Sequence, residues 1–309
     1  MKKVCFIGLG SIASRHIRNL RDIYGCQVII HVLRHSKKSN DFNEVNSSVD
    51  RVFYGRGEID ESYDAIFITN PTSEHYQTLK DCWNYSDNFF VEKPVFKTGN
   101  EDLSQFLETP KKNVYVACPL RYTNVIQYLK HNINFEDVYS IRCISSSYLP
   151  EWRPGMDYRN TYCAKKELGG GVSIDLIHEW DYIFYLIGKP QKVHSIISKK
   201  SNLEIDSDDI AIYIAEYIDK VVEVHLDYFG RETIRKIELF MKDETIEADL
   251  IKQTVSLKKQ KKILELYEDR DSYQRKELEY FFDIIDGKFV NDNDIENASD
   301  ILRLASGNL

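Results

Sequence analysis

No apolar run in the 309-residue sequence approaches the roughly 20 residues needed to cross a bilayer. The start, Met1-Lys2-Lys3 followed by Val4-Cys5-Phe6-Ile7, carries the charge of a secretion signal but not its apolar stretch. Glycines interrupt it, and then Arg15 and His16. A soluble cytoplasmic protein is expected. Close Cys/His spacings are also missing. Cys5, Cys26, Cys82, Cys118, Cys143 and Cys163 lie far apart, so neither a metal site nor a disulfide framework is expected, only reduced thiols. There is no excess of positive charge either. Lys and Arg number 41 against 49 Asp and Glu, a net charge of −8, which speaks against non-specific nucleic-acid binding. The one basic cluster, Lys258-Lys259-Gln260-Lys261-Lys262, reads as a solvated hairpin or loop edge. No internal repeat or low-complexity linker is visible.

What is present divides the chain in two. Its length suits two domains rather than one, with a boundary near residue 120: 1–120 and 121–309. Short apolar runs at Val4–Ile7, Val28–Leu33, Ala65–Thr69, Phe89–Glu92 and Val114–Ala117 alternate with helical patterns at Ser11–Tyr24 and Ser73–Asn84. That alternation predicts parallel βαβ units and a doubly wound α/β sheet. Beyond residue 120 the pattern changes. A strand is expected at Ile141–Tyr148 and one apolar helix over Val172–Ile187, ended by Gly188 and Pro190. Strands follow at Lys192–Ser198, Ile210–Ile218, Val221–Phe229 and Arg235–Met241. Their connections are too short for helical crossovers, so antiparallel pairing is expected. Helices near Gln274–Ile285 and Asp294–Ala305 close the chain.

The first strand runs into Gly8-Leu9-Gly10-Ser11-Ile12-Ala13, a G-x-G-x-x-A turn. Its first glycine permits a tight turn, its second lets the backbone approach a pyrophosphate, and the small third residue lets the helix pack on the strand. Backbone N–H groups at Ser11 and Ile12 would then face phosphate. The second strand ends without a carboxylate to bond ribose hydroxyls. It ends in Leu33-Arg34-His35-Ser36-Lys37, and Arg34, with Ser36 and Lys37, suits a 2′-phosphate. NADP(H) is therefore expected in preference to NAD(H).

Two motifs follow at strand ends, where ligands of open α/β sheets lie. They are Thr69-Asn70-Pro71-Thr72-Ser73-Glu74-His75 and Glu92-Lys93-Pro94. Thr69, Asn70, Pro71, His75, Glu92 and Lys93 are accordingly placed at the cofactor. Lys93, restricted by Pro94, can hydrogen-bond a substrate hydroxyl or polarise a carbonyl. A third motif, Gly169-Gly170-Gly171…Asp175…His178…Asp181, puts three ionisable groups at helical spacing of three, as one stripe on an apolar helix. Such groups are not buried together without partners. They suit acid/base chemistry and substrate binding.

Together, Gly8-x-Gly10, Asn70-Pro71-x-x-x-His75, Glu92-Lys93-Pro94 and the glycine run with Asp175, His178 and Asp181 resemble the Gfo/Idh/MocA oxidoreductase family, in the family's order and across the chain. The resemblance implies an N-terminal Rossmann domain and a C-terminal α+β domain with a large, mostly antiparallel sheet. It also implies NAD(P) and the oxidation or reduction of a sugar or polyol. Lys93 and His178 match the family's catalytic lysine and histidine, and Asp175 its partner carboxylate, converging on one site. The Asp175-to-His178 spacing of three departs from the family's usual four. Tyr148-Leu149-Pro150-Glu151-Trp152-Arg153-Pro154-Gly155, with Leu226-Asp227-Tyr228, is similar to a subset linked to bacterial surface-polysaccharide or nonulosonic-acid sugars.

Arg121, Tyr122, Trp152, Arg153, Tyr158 and Tyr162, with Asp175, form the expected substrate set, since aromatic faces and guanidinium forks suit a sugar bearing carboxylate or phosphate. The alternatives are a cofactor-retaining sugar lyase or glycosidase, and a non-catalytic NADP-binding regulator. The strand at Ile210–Ile218 has apolar groups on both faces, which predicts a homodimer or homotetramer.

Overall fold

The structure, a computed structural model, describes residues 1–34, 45–59, 62–109 and 111–308. It resolves into two units. One comprises Met1–Pro119 with Arg270–Ser299, the other Leu120–Asp269 with Asp300–Leu309.

The first unit is built on a six-stranded sheet in the order β3-β2-β1-β4-β5-β6. Its strands are β1 (Lys2–Ile7), β2 (Val28–Leu33), β3 (Arg51–Phe53), β4 (Ala65–Ile68), β5 (Asn88–Val91) and β6 (Asn113–Val116). All five pairings are parallel. Helix α1 (Ser11–Tyr24) follows β1, and α2 (His75–Cys82) follows β4 after a short 3₁₀ turn at Thr72–Glu74. The α3 turn (Ser104–Leu107) precedes β6. The strands are apolar throughout because a parallel sheet is covered on both faces. Phe6 stacks on Phe67 at 4.5 Å and Phe67 on Phe90 at 5.0 Å. Phe281 closes this aromatic core edge-on to Phe90 at 5.4 Å. That contact helps explain why residues 270–299 belong to this unit although they follow the second in sequence.

In the second unit, α4 (Asn124–Asn132) is capped by Thr123, whose hydroxyl accepts the Ile126 N–H. The eight-stranded sheet runs β14-β13-β12-β11-β7-β10-β9-β8. Its members are β7 (Val138–Tyr148), β8 (Lys192–Ser198), β9 (Ile210–Glu216), β10 (Val221–Asp227), β11 (Phe229–Met241), β12 (Thr245–Asp249), β13 (Thr254–Leu257) and β14 (Lys262–Glu265). Side chains alternate between faces. Ala211, Tyr213, Ala215, Val222, Val224 and Leu226 are fully buried on one face, whereas Ile214 is 40% and Ile196 62% exposed on the other.

Three expectations are corrected by this topology. β10 and β11 do not pair with each other. Both flank β7, and β10 runs parallel to it. Connection length constrains neighbours in sequence, but it does not reveal an earlier strand slipping between two later ones. Second, the strand expected to reach Ile218 stops at Glu216, because Tyr217 N–H bonds Lys220 O in a turn that leaves Ile218 outside the sheet. Third, the single helix over Val172–Ile187 is two: α5 (Val172–Asp175) and α6 (His178–Ile187). The chain leaves helical geometry at Leu176 (φ −97°, ψ 31°), with no glycine or proline to announce it. Helices α7 (Arg270–Ile285) and α8 (Ile295–Ala305) complete the chain. The basic cluster forms the exposed turn between β13 and β14.

Candidate active site

In the first unit the site begins where β1 ends. Gly8 has φ +96°, and a Cβ there would lie 2.8 Å from the backbone of Asn70. Only glycine allows both the backbone sign and the approach of two loops. Thr69 fixes that approach by donating its hydroxyl to Gly8 O at 2.9 Å and Ile7 O at 3.2 Å. Gly10 is the opposite case, since a Cβ there would meet nothing within 4 Å, so the loop borders open space. Gly10 is also the N-cap of α1, with no side-chain cap and no acidic residue in the first turn. Ser11 and Ile12, the first helical residues, are at least partly exposed. An uncapped 14-residue helix beginning at the carboxyl end of a parallel strand presents N–H groups and partial positive charge to an anion.

Asn70 is 8% exposed. Its amide donates to Glu74 Oε2 and Thr78 Oγ1, while its Oδ1 is buried with no donor. This acceptor beside the glycine turn, with the cradle at Gly10, fits a bound dinucleotide. Pro71 is exposed beside it. His75, by contrast, is 1% exposed. Its Nε2 faces Asn70 O at 2.9 Å and its Nδ1 faces Pro94 O and Val95 O at 3.2 Å. It ties the Asn70 loop to the Lys93-Pro94 turn, and burial pushes its pKa down. Glu92 and Lys93 follow β5 directly and are partly exposed, and the Lys93–Pro94 peptide is cis. Arg34 follows β2. Its N–H bonds Phe53 O at 2.9 Å, and the residue is 5% exposed. Ser36 and Lys37 lie outside the described residues.

In the second unit, Gly171 adopts φ +137°, and a Cβ would collide with Asp208. Asp208 accepts the Ser173 N–H at 2.9 Å, securing the start of α5. α5 ends at Asp175, which is 6% exposed and accepts a short hydrogen bond from Tyr228 Oη. The Asp175 charge also acts on Tyr162 and Cys163. Burial first, and the Asp175 charge second, raise the pKa of all three neighbours, Cys163 to about 12. They therefore stay protonated as donors at neutral pH. His178 begins α6 and is half-buried.

Arg121 and Asp181 find each other. The guanidinium is bidentate on the carboxylate at 2.9 and 2.7 Å, with the residues 1% and 7% exposed. Arg121 is thus enclosed by protein, as Asp175 is, whereas Tyr122, Trp152, Arg153, Tyr158 and Tyr162 are at least partly exposed. Glu179, fully buried, pairs with Arg235 Nε at 2.7 Å, and burial raises its pKa. Trp152 donates Nε1–H to Ser147 Oγ at 2.9 Å and meets Tyr228 edge-on. Arg153 lies over the Tyr162 ring, and Tyr158 Oη accepts the Glu204 N–H. Trp152, Arg153 and Tyr158 line a small hollow with Leu149, Met156 and Cys163. Tyr122 is half-buried.

Residues 2–117 match the model of the Gfo/Idh/MocA oxidoreductase family over its NAD-binding Rossmann fold. This part of the chain is similar to the NAD-binding domain of that family. An uncharacterized oxidoreductase, YrbE, of Bacillus subtilis (strain 168) is 23% identical over 192 residues, which are 59% of this chain and 52% of that protein. The chain thus spans about half the length of that curated relative. An oxidoreductase from Agrobacterium radiobacter, solved with NAD+, L-tartaric acid and magnesium, superposes with TM-score 0.82 at 15% identity, covering 99% of this chain and 94% of that one. UDP-N-acetylglucosamine 3-dehydrogenase GnnA from Acidithiobacillus ferrooxidans gives 0.79 at 17%, covering 99% and 96%. At these identities the likeness is one of fold. Among the described residues no cluster of His, Cys, Asp and Glu is arranged to hold a metal, and no helix is long and apolar enough to cross a membrane.

Within the first unit, the sequence reading passes over His16, which bonds Glu92. Its signal was available, since His16 shares the buried stripe Ala13, Ile17 and Leu20 of α1. It also passed over the Asp175–Tyr228 and Glu179–Arg235 pairs. These join residues more than fifty positions apart, and no local pattern reveals them.

Proposed function

We propose that the protein is a nicotinamide-dependent oxidoreductase acting on a sugar or sugar-derived substrate, nucleotide-linked or acidic. The observation that carries this reading is the carboxyl edge of the first sheet. There the uncapped α1, the open Gly10, the unpaired Asn70 Oδ1 and Lys93 stand at the ends of β1, β4 and β5. The first unit binds the dinucleotide, and the second supplies the substrate-facing residues. When bound, the nicotinamide supplies or takes the hydride. Lys93 and His178 handle the proton of the substrate hydroxyl, and Asp175, held by Tyr228, orients the sugar. Arg153, Trp152, Tyr122, Tyr158 and Tyr162 recognise the substrate's ring and charge, and Arg121 acts through Asp181. Dinucleotide titration followed by a panel of free and nucleotide-linked acidic sugars tests the reading.

NADP(H) is the preferred form in this proposal, because β2 ends in Arg34 with no adjoining carboxylate. A charged hydrogen bond contributes about 1.5–3 kcal/mol, roughly a tenfold to hundredfold preference. Arg34→Asp should weaken NADP(H) by at least about tenfold and NAD(H) little, read by fluorescence titration of both. Equal loss of both dinucleotides would remove the assignment.

The open face of the second sheet is proposed to bury itself against a second copy of the chain. Ile196 and Ile214 are exposed on it, Ile212 pairs with Ile196, and Ile144 lies in the same row beyond His225. Light scattering at micromolar concentration should give a dimer or tetramer. The pair Ile196→Glu and Ile214→Glu should shift it toward monomer. A wild-type monomer would refute the assembly.

A further inference from the structure

We propose that His16 is a positioning residue for dinucleotide binding, holding one oxygen of the Glu92 carboxylate so that the other is presented in a fixed direction. The inference rests on the reading that Glu92 contacts the dinucleotide. His16 is 1% exposed and lies on the buried face of α1. Its surroundings are aromatic. The ring meets Phe90 edge-on at 5.2 Å and Phe67 at 6.3 Å. Burying an imidazole among phenyl rings costs free energy unless it is hydrogen-bonded, and an apolar residue would fill this space without that cost. The ring makes one polar contact among the described residues, Nε2 to Glu92 Oε1 at 2.6 Å, while Nδ1 is buried with no partner.

Glu92 is fixed twice. Its backbone N–H bonds Ile68 O at 3.0 Å, anchoring it to the end of β4. Its side chain, 13% exposed, is gripped by His16. The carboxylate thereby loses the freedom of an ordinary surface glutamate but keeps an acceptor oxygen outside the His16 contact. β5 lies two strands from β1 in the sheet, on the same carboxyl edge as the glycine turn. An acceptor held still at that edge suits a ribose hydroxyl, because the entropy of orienting it has already been lost in folding.

The test is a fluorescence titration of NAD(H) and NADP(H) on the whole protein carrying His16→Phe, His16→Gln, Glu92→Gln and the double change His16→Phe/Glu92→Gln. Thermal melts would run in parallel. Phe keeps the ring's volume within the aromatic core, and Gln keeps an N–H for Glu92. His16→Phe and Glu92→Gln should each weaken the dinucleotide about tenfold, the double variant should lose no more than either alone, and His16→Gln should recover most of the affinity. Wild-type affinity in His16→Phe would overturn the proposal, as would losses that multiply in the double variant. Glu92→Gln binding like wild type would instead overturn the placement of Glu92 at the dinucleotide.

Discussion

Replacing Lys93 by alanine should lower turnover by about 10²–10⁴-fold, the usual contribution of a positioned proton-transfer group, with dinucleotide affinity kept. His178→Ala should do the same. Lys93 follows β5 at the edge where ligands of parallel sheets lie, and His178 opens α6 just after Asp175. On the proposed reading both act on one hydroxyl and so are not independent, and Lys93→Ala/His178→Ala should then lose far less than the product of the single losses. Single-turnover rates on each variant, with dinucleotide titration alongside, check this. Turnover that survives both changes would remove these residues from the chemistry.

Arg121→Ala should destabilise the fold by about 3–5 kcal/mol. The cost follows from what is left behind. Asp181, 7% exposed, would stay buried as a carboxylate without the guanidinium that meets both its oxygens. For a chain of this size, the melting temperature should fall by roughly 5–8 °C. Replacing both partners by apolar residues, as in Arg121→Met/Asp181→Leu, should recover most of the loss, because no buried charge then remains unpaired. A loss below about 1 kcal/mol in Arg121→Ala, the range of exposed pairs, would mean that water reaches the site.

Five strands of the first sheet are legible because each signal is local, whereas β3 (Arg51–Phe53) is too short to show in the sequence. Val28–Leu33 is an apolar run broken only by His31, Ser11–Tyr24 has a single apolar stripe, and both are expected with their observed bounds. Lys192–Ser198 was placed as well. What failed depends on distant partners. β12 (Thr245–Asp249) and β14 (Lys262–Glu265) are short and half polar, and their neighbours in the sheet make them strands. The β7–β10 pairing is parallel, and β7, which precedes the glycine run by more than twenty residues, lies between β10 and β11 where no local pattern would put it. Asp175, His178 and Asp181 read as one stripe on one helix. The chain turns at Leu176, and Asp175 and Asp181 go to separate partners, Tyr228 and Arg121. The candidate site residues could be proposed from motifs. The residues that hold them could not, since those holds are long-range hydrogen bonds.

A chain that passes a hydride between a bound nicotinamide and a sugar carbon must change the oxidation state of that nicotinamide, which can be watched directly. The dinucleotide-loaded protein would be mixed with free and nucleotide-linked acidic sugars while the reduced-nicotinamide absorbance is followed on a single-turnover timescale. The absorbance should change with at least one of these sugars, and the change should be slowed about 10²–10⁴-fold in Lys93→Ala. A protein that binds no dinucleotide, or one whose nicotinamide none of these sugars oxidises or reduces, would contradict the proposed hydride transfer.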